Sequence, residues 1–267
     1  MIFTRLLLNR WLVTLFLATA LFLSASAQSP KSGKNTVVIR GQEQSLYFYP
    51  AKGNADSPPR KVLFIPGDGG WRGFAITTAV SMASWGYDVY GMDTRIYLSS
   101  FTDKTTLKET EIMSDLAQMA KWMVGTSSER VTLMGWSQGA GMGLLGVAPP
   151  ENKKVFSGLL AFGMPDSAVL GWRWSDTVAT LAGKDADEPV FQTEPYFARI
   201  APLPFVMIQA SNDGYLSLDA AKKLFAQAKE PKRMAVVEAN DHKFSGNTDG
   251  FFRELREGLQ WINKSAR

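Results

Sequence analysis

Cysteine is absent from the chain, which excludes disulfides, thiolate metal sites and a lipid-modified N-terminal cysteine. Histidine occurs once, as His242, and no metal site is visible in the pattern of potential ligands. Charge of either sign is in short excess. The formal net charge is +4 and falls to about +2 once Arg5 and Arg10 are removed with the N-terminal segment, too little to argue for a nucleic-acid partner. Beyond residues 11–23 no apolar run approaches the ~20 residues that a membrane span needs. Internal repeats and low-complexity tracts are missing as well.

What is present is an ordinary globular composition, 45% hydrophobic, 20% charged and 12% aromatic over 267 residues, with length for one large core. Arg5 and Arg10 lead into the apolar run 11–23, and Ala25-Ser26-Ala27 follows. The pattern predicts a secretory signal peptide over residues 1–27, cleaved after Ala27, and hence an exported, periplasmic or secreted protein. Residues 28–35 read as a polar tether and 36–267 as a single domain. A basic cluster, Lys222, Lys223, Lys229, Lys232 and Arg233, offers peripheral contact with an anionic membrane surface, although charge runs on a helix are commonly its solvated face.

Residues 36–39 and 45–49 read as a leading hairpin. Residues 62–65 form an unalternating apolar run of the kind found in a strand covered on both faces. A helix over 74–85, a strand over 88–92 and a long amphipathic helix over 106–124 follow, the last with Ile112, Leu116, Met119, Ala120 and Met123 at helical spacing. Strands over 131–134, 155–162, 205–210 and 234–237 then alternate with helices, including 218–228 and 250–264. This alternation predicts an α/β protein with a mostly parallel sheet wrapped on both faces. Residues 163–202 read as a long irregular segment, a candidate lid or cap.

The stretch VTLMGWSQGAGMGLLGV at 131–147 organises the rest. A short strand runs into Gly135-Trp136-Ser137-Gln138-Gly139 and a small-residue helix, which is the G-x-S-x-G nucleophile elbow in its strand–turn–helix context. The glycines relieve collisions with neighbouring elements, and the turn lifts the Ser137 hydroxyl above the sheet. In a parallel sheet, functional loops lie beyond the carboxyl ends of the strands. After 62–65 comes Pro66-Gly67-Asp68-Gly69-Gly70-Trp71, whose backbone N–H at Asp68 or Gly69 can join that of Gln138 around an oxyanion. It lacks the lysine and Ser/Thr of a phosphate loop. Beyond 205–210 lies Asp213, and beyond 234–237 lies His242. The order Ser137, Asp213, His242 is that of hydrolases carrying such an elbow. His242 takes the serine proton and Asp213 orients the ring. Asp241 is disfavoured as the orienting acid by its adjacency, while Asp166 is the rival carboxylate. This chemistry requires no cofactor. Trp71, Trp136, Trp172 and Trp174 are candidate substrate-contacting residues, and Pro189, Pro195, Tyr196 and Phe197 add to the aromatic and proline content of 163–202.

The elbow, the glycine loop and Asp241-His242-Lys243-Phe244-Ser245-Gly246 resemble α/β-hydrolases of the esterase and lysophospholipase kind, over nearly all of residues 36–264. More narrowly, the Pro66–Trp71 loop and Gly91-Met92-Asp93-Thr94-Arg95-Ile96-Tyr97 resemble the VirJ/AcvB family of exported bacterial proteins. Gln138 and Gly141 depart from that family's pattern, which has phenylalanine and aspartate there. The resemblance implies hydrolysis of aminoacylated phosphatidylglycerol, or a role beside a type IV secretion apparatus. Two functions are therefore expected to compete: an exported serine esterase acting on lipid-linked or soluble esters, and a non-catalytic binding protein on the same fold.

Overall fold

The computed structural model describes residues 30–52, 58–102, 106–173 and 189–266; the expected signal peptide with its cleavage position and Trp174 lie outside them. In chain order the strands are β1 (Gly33–Ile39), β2 (Gln42–Tyr49), β3 (Arg60–Ile65), β4 (Tyr87–Met92), β5 (Val131–Trp136), β6 (Phe156–Phe162), β7 (Ser167–Val169), β8 (Val190–Gln192), β9 (Phe205–Ala210) and β10 (Lys232–Val237). The helices are α1 (Phe74–Ser84), α2 (Thr94–Thr102), α3 (Glu109–Val124), α4 (Gln138–Val147), α5 (Glu194–Phe197), α6 (Leu218–Gln227) and α7 (Thr248–Ser265), with a 3₁₀ turn at Pro150–Lys154.

Eight strands form one sheet in the order β1-β2-β4-β3-β5-β6-β9-β10. β1 pairs antiparallel to β2 and β2 antiparallel to β4; every pairing from β4 to β10 is parallel. Parallel strands need covering on both faces, and the core accordingly has two layers. On one face α3 and α4 bury Ile112, Leu116, Met119, Leu144 and Leu145 against Leu63, Leu133 and Leu159. On the other, Ala75, Ala79 and Met82 of α1 join Phe251, Leu255, Leu259 and Ile262 of α7 over Phe64, Met134 and Phe162. The α7 set recurs at helical spacing, and the Asn247 side chain starts that helix by accepting from the Gly250 N–H at 3.0 Å.

Three elements differ from the sequence expectation. Strand β1 begins at Gly33, inside the segment 28–35 read as a tether, because Gly33, Lys34 and Asn35 pair with Phe48, Tyr47 and Leu46 of β2. Helix α3 begins at Glu109 and not near 106, because the Glu111 carboxylate accepts the Lys108 N–H at 2.8 Å and fixes the first turn there. Helix α2 is not among the expected elements; it buries Tyr97 and Leu98 in the core. At its start Asp93 Oδ1 accepts the Ile96 N–H at 3.1 Å and the buried Thr94 hydroxyl donates to the Pro66 carbonyl at 2.9 Å.

Residues 163–202 are also more ordered than expected. β7 and β8 pair antiparallel as a small ribbon. Ala168, Leu170, Phe191, Phe197, Ile200 and Leu203 of its flanks are buried in the α3/α4 layer. Phe197 is therefore core, packed edge-on to Phe205 at 5.8 Å. Only 174–188 of this segment lie outside the described residues.

Within the α3 layer sits a charged cluster. The Arg40 Nε donates to both Asp115 oxygens at 3.1 and 3.0 Å, and the Tyr97 hydroxyl donates to Asp115 Oδ2 at 2.7 Å. This ties the β1–β2 turn, α2 and α3 together. Tyr97 belongs to the 91–97 stretch that carries the narrower family resemblance, and its side chain is used inside the fold.

Candidate active site

β5 delivers Ser137 as the residue that caps α4, with φ 55° and ψ −123°. A non-glycine residue there is strained by about 1–3 kcal/mol and persists only when its surroundings force it. Here they do. A Cβ on Gly135 would lie 2.2 Å from the Gly139 carbonyl oxygen, and one on Gly139 would lie 2.0 Å from the Ile65 carbonyl oxygen. Strand, turn and helix therefore approach as closely as backbone allows. The Ser137 N–H donates to the Phe162 carbonyl at 3.0 Å, which ties the elbow to the end of β6.

The loop after β3 stands against the serine. The Cβ position of Gly67 is 3.8 Å from Ser137 Oγ. The Gly70 N–H closes the turn on the Gly67 carbonyl at 3.1 Å, and the N–H groups of Asp68 and Gly69 have no acceptor among the described residues. Gln138 is the first residue of α4, where a backbone N–H has no intrahelical acceptor and carries the positive end of the helix dipole. Its side chain is used separately. Nε2 donates to the Val169 carbonyl at 2.8 Å and Oε1 accepts the Val169 N–H at 2.9 Å, pinning the β7 ribbon to the elbow.

On the other side, Asp213 follows β9 and His242 follows β10. His242 Nδ1 and Asp213 Oδ2 are 2.7 Å apart, and the Asp213 side chain is 1% exposed. Burial pushes the Asp213 carboxyl up, but hydrogen bonds from His242 and the Tyr215 N–H outweigh it and hold the group below the ordinary aspartate value. The opposite ring nitrogen, His242 Nε2, is buried and has no protein hydrogen-bond partner among the described residues. Gly163, at the end of β6, packs against the ring: a Cβ there would lie 2.6 Å from His242 Cε1.

Aromatic rings flank the imidazole. Trp136 stacks on it with centroids 5.8 Å apart, and Tyr215 meets it edge-on at 4.8 Å while remaining 81% exposed. The remaining candidates lie elsewhere. Asp166 is exposed, and its carboxylate accepts only the Ser167 hydroxyl among the described residues. Asp241 is turned into its own loop, accepting from the Ser245 hydroxyl at 2.7 Å and the Lys243 N–H at 2.8 Å. Trp71, expected to touch substrate, is 8% exposed and packed between Tyr47 and Phe64. Its indole fills the space over Gly91, where a Cβ would come within 1.9 Å. Trp172 is half-buried under the Arg95 guanidinium, 4.3 Å from the ring centroid. Of the basic cluster, Lys232 donates to carbonyls at the end of α6 and Arg233 pairs with Glu254 and Glu257; Lys222, Lys223 and Lys229 stay exposed.

Sequence reasoning missed Gln209. It is 0% exposed, and its Nε2 donates to Asp213 Oδ2 at 2.9 Å. A lone polar residue in an apolar strand, four positions before the acid, was the available signal.

The arrangement is that of an α/β-hydrolase fold, and comparison with solved structures agrees. The esterase Est1E from Butyrivibrio proteoclasticus is 12% identical with TM-score 0.65, covering 87% of this chain and 100% of that one. A membrane phospholipase A described as a bacterial virulence factor is 12% identical with TM-score 0.64, covering 86% of each chain. A soluble variant of monoglyceride lipase from Saccharomyces cerevisiae is 12% identical with TM-score 0.61, covering 91% of this chain and 98% of that one. A family described as a bacterial virulence protein (VirJ) matches residues 60–153. That range holds the glycine loop and Ser137 but neither Asp213 nor His242. No curated protein matches the chain. Among the described residues, no helix is long and apolar enough to cross a membrane.

Proposed function

We propose that the protein is an exported serine hydrolase that cleaves carboxylic esters through an acyl-enzyme. The observation that carries this reading is the 2.7 Å contact between buried Asp213 and His242 Nδ1, which leaves Nε2, unpartnered among the described residues, to accept a proton; Ser137, held at φ 55° on the elbow, is the nucleophile that proton would come from. Asp213 fixes the ring orientation and stabilises its protonated form. His242 Nε2 accepts the Ser137 proton as Oγ bonds to the acyl carbon, and returns it to the leaving alkoxide when the C–O bond breaks. Water then repeats the sequence to release the acid. The oxyanion of each tetrahedral intermediate is met by the N–H of Gln138 together with that of Asp68 or Gly69.

For substrate, we infer a lipid-linked ester, with aminoacyl-phosphatidylglycerol as the specific candidate. The exposed Tyr215 ring beside His242 offers apolar surface at the site, and two of the fold neighbours are a phospholipase and a monoglyceride lipase. The VirJ resemblance favours the aminoacyl form, whose cationic amine would be attracted to exposed Asp68 on the oxyanion loop.

Labelling with a fluorophosphonate probe tests the chemistry. Wild-type protein should label and Ser137→Ala should not; an unlabelled wild type leaves the non-catalytic binding protein. Purified protein incubated with lysyl-phosphatidylglycerol vesicles and with p-nitrophenyl esters tests the substrate. Turnover of the soluble esters alone would retire the lipid assignment.

A further inference from the structure

Every residue of β9 is buried, and all but one are apolar. The exception is Gln209, at 0% exposure. Its Nε2 lies 2.9 Å from Asp213 Oδ2 and 3.4 Å from the Leu216 carbonyl, while its Oε1 is buried with no partner among the described residues. A leucine or methionine would fill similar space without desolvating a polar atom. An amide with one end unsatisfied is a poor choice for packing alone, so its donor end must account for it.

We propose that Gln209 is a positioning residue for the triad acid: its amide N–H holds Asp213 as an anion and fixes which carboxylate oxygen faces His242. The proposal rests on the Ser137–His242–Asp213 reading above. An ionised carboxylate accepts hydrogen bonds and donates none. Asp213 Oδ2 receives Gln209 Nε2 and His242 Nδ1, while Oδ1 receives the Tyr215 N–H at 2.9 Å. Turning the amide over would set Oε1 against Oδ2, acceptor to acceptor. The charge on Asp213 therefore selects the amide orientation, and that orientation in turn favours the charge. The bond to Leu216, at 3.4 Å, is too long to be the main reason for the residue.

Few other titratable groups face this pair. Tyr215 packs on the far side of the imidazole, Asp241 is occupied by Ser245 and Lys243, and Lys243 is exposed. Gln209 thus shares Oδ2 with the imidazole and draws part of its charge away. Without that donor, more charge on Oδ2 would face the ring, and its protonated form would be favoured.

His242 is the only histidine, so its ring resonances in ¹⁵N-labelled full-length protein are unambiguous. In Gln209→Leu we expect the imidazole titration to move to higher pH than in wild type, by about half a pH unit. The acid limb of kcat/KM for a p-nitrophenyl ester should move with it, giving about a threefold loss below that limb with KM unchanged. In Gln209→Glu two carboxyl groups share one proton. The protonated one replaces the amide donor, so wild-type behaviour should be kept at low pH and lost as that proton leaves. A folded Gln209→Leu variant whose His242 titrates as in wild type overturns the proposal; if that variant does not fold, Gln209→Met is held to the same criterion. Loss of fluorophosphonate labelling in the wild type would remove the hydrolase reading, and the His242 titration would still decide the role of Gln209.

Discussion

A side chain on Gly163 would place its Cβ 2.6 Å from Cε1 and 3.0 Å from Nδ1 of His242. The end of β6 is thus the wall that sets the imidazole. Its neighbour Phe162 accepts the Ser137 N–H at 3.0 Å, so one short segment positions both Ser137 and His242. Gly163→Ala should displace the ring and lower kcat about 100-fold. It should also cost about 1–2 kcal/mol of stability, because Gly163 has φ +56°. Steady-state kinetics and chemical denaturation of the same preparation would separate the two effects; wild-type turnover would show that the wall is not needed.

Strain at Ser137 gives a second expectation. Ser137→Ala should lower kcat about 10⁴- to 10⁶-fold, as should His242→Ala. Ser137→Gly should be equally inactive yet more stable than wild type by about 1 kcal/mol, because glycine adopts φ 55° without the Cβ penalty. Thermal melts of the two serine variants side by side would reveal an absent difference.

The choice of acid is open to direct test. Asp213→Asn should reduce kcat by about 10³- to 10⁴-fold through the wrong imidazole tautomer, whereas exposed Asp166→Asn should leave turnover unchanged. The opposite result would reassign the acid to Asp166.

Asp213 also predicts a pH dependence of stability. Its carboxyl is held below the ordinary value, first against burial and then by the bonds from His242 and the Tyr215 N–H. A lowered folded-state value means that this stabilisation is fully present above the unfolded value of about 4. It is lost as pH falls through the lower folded-state value. Unfolding free energies of wild type and Asp213→Asn, measured from pH 6 downward, should converge only below about pH 4. A constant gap would contradict the assigned hydrogen bonding.

Outside the Ser137, Asp213 and His242 set, the Arg40–Asp115–Tyr97 cluster should govern stability without taking part in the chemistry. Burial is the main cause of a Tyr97 hydroxyl held well above the ordinary tyrosine value, so it serves Asp115 as a neutral donor. Tyr97→Phe should cost about 1–2 kcal/mol. Asp115→Ala, which leaves the buried Tyr97 hydroxyl without its acceptor and Arg40 with Glu111 as its carboxylate partner, should cost about 2–3 kcal/mol. Since the two share a hydrogen bond, the double variant should lose less than the sum. Strict additivity would mean that the 2.7 Å contact contributes nothing.

Sequence by itself determined the order of strands and helices, the elbow and the carboxylate and histidine at later strand ends. Each of these is written in local pattern: unalternating apolar runs, a glycine pair two residues either side of serine in G-x-S-x-G, and a helical period in α3 and α7. It did not reveal α2, whose apolar face is short, Tyr97 and Leu98 with Phe101 beside them, and whose start is fixed by Asp93 and Thr94. Nor did it separate the tryptophans. Trp71 is core because Gly91, on a strand remote in sequence, leaves room for its indole, whereas Trp136 meets His242 because β5 and the loop after β10 converge. Asp213 and Asp166 both follow strands, and Asp241 is set apart only by adjoining His242 in sequence. Only the folded chain brings one of them to 2.7 Å from the imidazole and places Gln209 behind it, because such distances depend on sheet register and loop course, which join residues far apart along the chain.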